Sequence, residues 1–369
     1  KNQACSCGTK RRSTMKQINT NLTSLSIGLD VGDRRSVAVV LSPDGHVLEE
    51  LKVASTRAGL DAAFAHRPQC RIALEVGTHS PWMSEMLREY GHTVFVANPR
   101  KVRLISHSRN KTDRIDAECL ARLARLDPNL LYPIQHRKSE SRNHLMFLRA
   151  RDAVIASRTR LVNHCRTQVK VSGNRLPAIS TPAFAKKAYA LLPEHLHAVL
   201  DPLLQQIEMH TQTIRGYDKE IERLCNDVYP ETARLRQVQG VGPLTALCFV
   251  LTLETPQRFK KSRDVGAYLG LTPRRHESGA SAPEMRITKA GDKTLRRLLV
   301  SCAQYILGPF GPDTDLRRWG LELASRGGKN AKKRAIVATA RKLSSLLFSL
   351  WKSPQEYHPL KKGSPSKVA

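Results

Sequence analysis

The run Ile27-Gly28-Leu29-Asp30-Val31-Gly32 constrains the fold more than any other stretch of this chain. A short apolar segment that reaches an aspartate and then a glycine reads as a buried strand delivering a carboxylate to a sheet edge. Arg35 to Leu41, bounded by Ser42-Pro43-Asp44-Gly45, reads as its antiparallel partner leaving through a tight turn. The pattern predicts a third strand over His46–Ala54, a helix over Arg57–His66 and a fourth strand over Arg71–Gly77. A helix over Ser80–Tyr90 and a fifth strand over Thr93–Ala97 follow. Three hairpin-connected strands succeeded by alternating helices and strands imply a mixed sheet covered on both faces.

A carboxylate presented at a strand end can hold a divalent cation, and three further candidates follow: Glu75, Asp113 and Asp116. Glu75 lies in the fourth apolar run, where a charge is costly without a partner. Taken alone it reads as a rim carboxylate paired with an arginine. Asp113 and Asp116 open Thr112–Leu123, a segment with helical apolar spacing and Thr112 as a plausible N-cap. Acids in a first turn complement the macrodipole, which is reason enough for one of them. Residues three apart share a helix face, however, so both can project toward one point, where they repel unless a cation intervenes. Two Mg²⁺ ions about 3.5–4 Å apart, held by carboxylates, form an arrangement used for in-line phosphoryl transfer.

The charge balance points the same way. The 369 residues carry 61 Lys+Arg against 32 Asp+Glu, a net charge of +29. An excess of that size calls for a polyanionic partner. A membrane surface is the competing polyanion, but no apolar run approaches the roughly 18 to 20 residues of a transmembrane helix, which favours nucleic acid as the partner. The cations cluster: residues 97–175 hold 18 Lys+Arg against 6 Asp+Glu, and residues 257–369 hold 24 against 8. Arg100, Lys101, Arg103, Arg109 and Lys111 lie between the candidate acids, placed to bring a phosphate backbone to them. Six of the eight cysteines are isolated in sequence, which suits reduced core thiols. Cys5-Ser6-Cys7 lacks a second ligand pair for zinc, and residues 1–25 read as a basic disordered tail without a secretory signal, with Met15 a candidate natural start.

Beyond the α/β region, Ser139–Ser172 and Glu194–Tyr229 read as long amphipathic helices, an α-hairpin or coiled coil serving as spacer or subunit contact. The basic face of the first is either solvated or a nucleic-acid track. A second globular unit starts near Leu235, where Val238–Ala246 has the make-up of a helix-hairpin-helix turn or of a plain interhelical turn. Leu269-Gly270-Leu271-Thr272-Pro273-Arg274-Arg275 leads into a small polar segment around Ser278 and Ser281, then into Ile287–Leu299. Arg274, Arg275, Lys289, Lys293 and Arg296 flank those serines and are candidate nucleic-acid contacts. A basic helix over Asn330–Trp351 and a disordered tail over residues 353–369 complete the chain.

The order Asp30, Glu75, then Thr112-Asp113-Arg114-Ile115-Asp116-Ala117 resembles the tetrad of DEDD-type insertion-sequence transposases of family 110, which includes the Piv-type DNA invertases. Gly240–Pro243, Leu269–Pro273, Ser278-Gly279 and Ile287–Arg296 resemble that family's C-terminal transposase domain. The resemblance implies a RuvC-like, ribonuclease-H-type mixed sheet domain over residues 26–138 and a coiled-coil insertion over 139–232. It further implies a mainly helical C-terminal domain over 233–352 with a nucleophilic serine. It makes Asp30, Glu75, Asp113 and Asp116 ligands of one or two Mg²⁺ and Ser278 the nucleophile. The family's usual Ser-Ser-Gly-Gly is replaced here by Glu277-Ser278-Gly279-Ala280, which keeps Ser281 as a second choice. Also implied are donor and target DNA, a structured non-coding bridge RNA as guide, assembly as a dimer of dimers, and a cytoplasmic, nucleoid-associated bacterial setting. Competing readings are a RuvC-like Holliday-junction resolvase, which needs no serine domain, and a non-enzymatic nucleic-acid-binding protein. An actin-like ATPase or sugar kinase shares the opening strand but requires a second phosphate motif that this chain lacks.

Overall fold

A computed structural model describes residues 24–102, 112–275, 283, 285–353 and 356–360 of the chain. The chain divides into two compact units, Lys1–His136 and Arg137–Ala369.

In the first unit, strands β1 (Ser26–Asp30), β2 (Arg35–Leu41) and β3 (Val47–Ala54) form an antiparallel meander. Strands β4 (Arg71–Glu75) and β5 (Thr93–Ala97) add in parallel on the other side of β1, giving the order β3-β2-β1-β4-β5. Each parallel pair needs a crossover, and helices α1 (Arg57–Phe64) and α2 (Ser80–Glu89) supply them. The period-2 alternation of strand side chains then sorts the two faces. Ile27, Leu29, Ile72 and Leu74 are fully buried against Leu60 and Phe64 of α1 and Met83 and Leu87 of α2. The opposite face is covered by α3 (Asp113–Leu126). There Val39 and Leu41 meet Ala117 and Ala121, while Ala73 and Ala97 meet Leu120 and Ala124.

The contact between β1 and α3 depends on a glycine. A Cβ on Gly28 would stand 1.8 Å from the Ala117 carbonyl oxygen and 2.5 Å from the Ala121 nitrogen. Helix backbone therefore rests almost directly on strand backbone, a proximity that a larger residue at any of these three positions would prevent. Thr112 caps α3 as its sequence suggests, its hydroxyl accepting the Ile115 N–H at 3.3 Å. The mixed sheet, covered on both faces, bears out the sequence expectation, with strand boundaries shifted by at most two residues.

The second unit is mainly helical. Helices α4 (Ser139–Val171) and α6 (Glu194–Arg223) pack along one another, with the short α5 (Phe184–Tyr189) closing one end. At that end Val162, Cys165 and Val169 meet Leu200, Leu204 and Ile207 in a core of their own. Midway, Arg158 donates to the Thr211 hydroxyl at 3.1 Å and Arg151 to Asp218 at 2.6 Å. At the other end Leu145, Leu148, Ile221 and Leu224 join the main core. Its centre is α8 (Pro243–Leu253), buried on every side from Thr245 to Leu253, which is what a helix without a polar stripe requires. Helices α7 (Thr232–Arg236), α9 (Ser262–Tyr268), α10 (Lys293–Leu307), α11 (Asp315–Ser325) and α12 (Ala331–Lys352) complete the unit. The Gly240-Val241-Gly242 turn links α7 to α8, and its Gly240 (φ 91°) lets the Tyr305 ring pack against the turn. Among the described residues no helix is long and apolar enough to cross a membrane.

Candidate active site

Asp30 ends β1 and Glu75 ends β4. Leu29 pairs with Leu74, so the two acids come next on neighbouring parallel strands. Both share the parity of Gly28 and Ala73, and therefore the face covered by α3. The direction of α3 follows from its far end. There Arg122 and Arg125 donate to the carbonyls of Gly45 and Pro43 at 3.4 and 3.1 Å, in the turn after β2. That turn follows Leu41, which pairs with Ser26 at the start of β1. Helix α3 thus runs antiparallel to β1, and its first turn, with Asp113 and Asp116, lies toward the edge where β1 and β4 finish. Asp116 is 7% exposed and Asp113 is exposed.

The Cys119 thiol, one turn further along α3, senses this gathering of charge. Burial raises its pKa first, the carboxylates of Asp116 and Glu118 raise it further, and Glu75 adds a smaller push against the lowering effect of Arg122. A strand-end acid and a first-turn acid therefore both lie within electrostatic reach of one sulfur. The donor chemistry at this edge is hard oxygen, the kind that suits Mg²⁺ or Mn²⁺ and not a thiolate-loving ion. Among the described residues no three His, Cys, Asp or Glu side chains already stand in a ligating cluster. The acids share an edge and a face without forming a closed cage, and an octahedral Mg²⁺ that keeps several waters needs only one or two protein carboxylates.

Sequence reasoning missed the residues that brace this edge. Ser55 donates to the Gly32 carbonyl at 2.8 Å and shares a 2.9 Å hydroxyl contact with Ser36, tying the turn after Asp30 to β2 and β3. In the turn after Glu75, the Ser80 hydroxyl donates to the Gly77 carbonyl, accepts the Gly77 N–H, and meets His136 Nε2 at 3.0 Å. His79 accepts from the Trp82 indole at Nδ1 (3.2 Å), which leaves Nε2 facing Asp33 at 3.6 Å. The Ser36–Ser55, Gly32–Ser55 and Ser80–His136 contacts join residues 19 to 56 apart in the chain, so no local pattern announces them. Of the basic loop, Arg100 and Lys101 are described: Asn98 Oδ1 accepts the Arg100 N–H at 3.2 Å, and the Lys101 ammonium lies 4.8 Å from the Tyr132 ring centre. Arg103, Arg109 and Lys111 lie outside the described residues.

Ser278 and Ser281 also lie outside the described residues, but the chain on either side of them is placed. Two extended arms pair in antiparallel fashion, with Pro273 bridged to Ile287, the Arg274 N–H on the Arg286 carbonyl and the Thr288 N–H on the Thr272 carbonyl. The base of this hairpin is backbone packed on backbone. A Cβ on Gly270 (φ 68°) would stand 2.3 Å from Ala290, and one on Gly291 (φ 72°) 2.1 Å from the Tyr268 oxygen. Arg296 spends its Nη1 on the Leu269 and Ala290 carbonyls, at 2.9 and 2.7 Å, so its guanidinium locks the hairpin base. Asp292 caps α10 by accepting the Leu295 N–H at 2.9 Å. Replacing Asp292 with alanine is expected to cost about 1 kcal/mol of stability through the lost cap. Gly291→Ala costs more, because it adds both a positive-φ penalty and a backbone clash. Urea denaturation of the two variants checks the order. Burial pushes the Cys70 thiol up to about 11 and that of Cys248 up to about 12, which makes both poor nucleophiles at neutral pH.

An α/β domain with acids placed toward one sheet edge, followed in the chain by a mainly helical unit, is compatible with a phosphoryl-transfer enzyme. Comparison with known proteins specifies it further. A family model described as transposase, of the DEDD type, matches residues 27–172, and one described as transposase IS116/IS110/IS902 family matches residues 232–314. The transposase for insertion sequence element IS1328 of Yersinia enterocolitica is 31% identical over 76% of this chain and 83% of its own. A probable family 20 transposase of Pseudomonas aeruginosa is 28% identical over 90% of this chain and 98% of its own. The pilin gene-inverting protein of Moraxella bovis is 24% identical over 74% and 77%. The chain belongs to the IS110-type family of insertion-sequence transposases, and is thus a recombinase enzyme.

Proposed function

We propose that the protein moves or inverts DNA by strand exchange through a covalent serine–DNA intermediate, with Asp30, Glu75, Asp113 and Asp116 holding one or two Mg²⁺. The observation that carries this reading is the placement of Asp30 and Glu75 on one face at the ends of adjacent parallel strands, with the first turn of α3 directed to the same edge. When bound there, Mg²⁺ lowers the pKa of a coordinated hydroxyl and offsets charge on phosphoryl oxygens. The chain's own part is to present the nucleophile and hold the strand. In this reading the Ser278 Oγ attacks phosphorus, an Oγ–P bond forms as one P–O bond to a deoxyribose breaks, and the departing sugar oxygen gains a proton while Oγ loses one. The exchanged ester keeps the bond energy needed for rejoining, which fits a chain without a Walker-type motif.

Positive charge in both units supports a bridge RNA as guide, since pairing then reads donor and target sequence while the protein grips backbone. Arg100, Lys101, Arg103, Arg109, Lys111, Arg274, Arg275, Lys289 and Lys293 are the proposed contacts, with Arg296 supporting them from the hairpin base. The long α4 and α6 helices are proposed to form a coiled-coil subunit contact in a dimer of dimers acting at the nucleoid in the bacterial cytoplasm. In the key experiment, Ser278→Ala is expected to abolish both recombination and the denaturant-stable protein–DNA adduct while DNA binding persists. Adducts that survive in Ser278→Ala and vanish in Ser281→Ala transfer the role to Ser281, and adducts that survive the double variant overturn the serine mechanism.

A further inference from the structure

The second unit carries an open cavity of about 770 Å³ between the hairpin arms and the start of α12. Its less exposed lining, the floor, is aliphatic: the buried Leu271 and half-buried Ile287 from the hairpin, and the half-buried Val337 and Ala338 from α12. The exposed lining is cationic: Arg286 and Lys289 from the hairpin side, and Lys329, Lys333, Arg334 and Arg341 from α12 and the residues just before it. Among the described residues that line it, none is acidic. Lys289 holds a left-handed backbone (φ 55°), pinned by its N–H on the Gly270 carbonyl at 3.1 Å, so the hairpin fixes where this side chain starts. On the opposite wall, α12 begins at Asn330, whose own φ is 73°. Cations around an aliphatic floor fit a ligand with anionic edges and flat apolar faces.

We infer that this cavity is a groove for unpaired DNA, seating a nucleotide of the strand being cut, with its base against the aliphatic floor and its flanking phosphates between the two cationic walls. Size supports the single strand: clefts of roughly 300–1,000 Å³ enclose ligands of small-molecule dimensions, not a duplex. Chemistry favours deoxyribose. A ribose 2′-hydroxyl brought against the aliphatic side chains would lose hydration that a deoxyribose methylene does not have to lose. Position ties the groove to the reaction. Arg274 and Arg286, paired through their backbones, are the last described pair before the segment that carries Ser278 and Ser281, and Arg286 lines the groove. The inference deepens the proposed function by naming the strand's seat, and it rests on that reading for its place in the reaction.

Binding is measured with the full chain in EDTA, where no cleavage occurs, using labelled ten-nucleotide oligothymidylate, oligouridylate and a DNA hairpin duplex. Lys329→Gln/Lys333→Gln is expected to weaken oligothymidylate binding about tenfold and to flatten the slope of log affinity against log salt by about 1.4, the release expected for two phosphate contacts on a single strand. Duplex affinity should stay within about twofold. Lys186→Gln/Lys187→Gln, which removes equal charge from exposed positions on α5, should leave oligothymidylate binding unchanged. A 5-iododeoxyuridine strand should cross-link to peptides containing Met285 or Val337. The groove is rejected by equal losses for single strand and duplex, by oligouridylate binding as tight as oligothymidylate, or by cross-links confined to other peptides. Because the assay needs neither metal nor serine, absent adducts would overturn the parent mechanism while leaving the groove, and a failed groove with intact adducts would do the reverse.

Discussion

Valine at position 28 is expected to unfold the first unit or leave it without activity. The added Cβ alone would lie inside the Ala117 carbonyl oxygen and the Ala121 nitrogen, at 1.8 and 2.5 Å, and both are helix backbone that no rotamer change can move. Overpacking a core typically costs about 1–3 kcal/mol when side chains can yield, and more when they cannot. Gly28→Val should therefore lose more than about 3 kcal/mol, a large part of a typical domain's stability. Gly28→Ala is the milder probe. It lifts α3 away from β1 and carries Asp113 and Asp116 with it, so activity should fall further than the loss of folded protein explains. Gly77→Ala is the control, because a Cβ there meets nothing within 4 Å and the residue lies in the turn following Glu75. Its urea midpoint should match that of the parent within about 0.5 kcal/mol. Equal midpoints for Gly28→Ala and Gly77→Ala would show that α3 does not rest on β1 as described.

Asp116→Asn is expected to lower strand cleavage at least roughly 10²–10³-fold, the scale on which removal of one preorganised electrostatic group acts. Asparagine keeps the shape and loses the charge. If Asp116 had a structural role alone, the substitution would lower stability equally with and without Mg²⁺ and leave cleavage by the folded protein untouched. A metal role predicts a different signature. Saturating Mg²⁺ should raise the unfolding free energy of the parent, by about 2.7 kcal/mol at a hundred times the dissociation constant, and should raise that of the variant far less. In chelator the Mg²⁺-dependent part of that difference should vanish. Asp30→Asn should behave alike. Undiminished cleavage in either variant, or an equal Mg²⁺ response, removes these acids from the site.

The strands of the first unit were legible because each carries its pattern within a few residues: the apolar runs ending at Asp30 and Glu75, the Ser42–Gly45 turn, the Thr112 cap. What the sequence concealed depends on distance along the chain. Gly28, Ala117 and Ala121 are small, but small residues signal a close approach only once their partner is known. The Ser36–Ser55 and Ser80–His136 contacts that brace the acidic edge join segments with no shared local pattern. In the second unit, Arg296 counts as one more cation by composition. Only coordinates reveal that its guanidinium is committed to two carbonyls. Likewise, Gly270 and Gly291 belong to motifs quoted for chemistry, and the structure gives them a packing reason.

The lodging of α3 on β1 bears on how such an enzyme is made. Asp30 and Glu75 leave the ribosome well before residue 112, and until α3 follows them the strand face bearing Val39, Leu41 and Ala73 has no cover. A translation product that stops short of α3 would leave exposed an apolar sheet face that the full chain covers, a surface that invites aggregation and proteolysis.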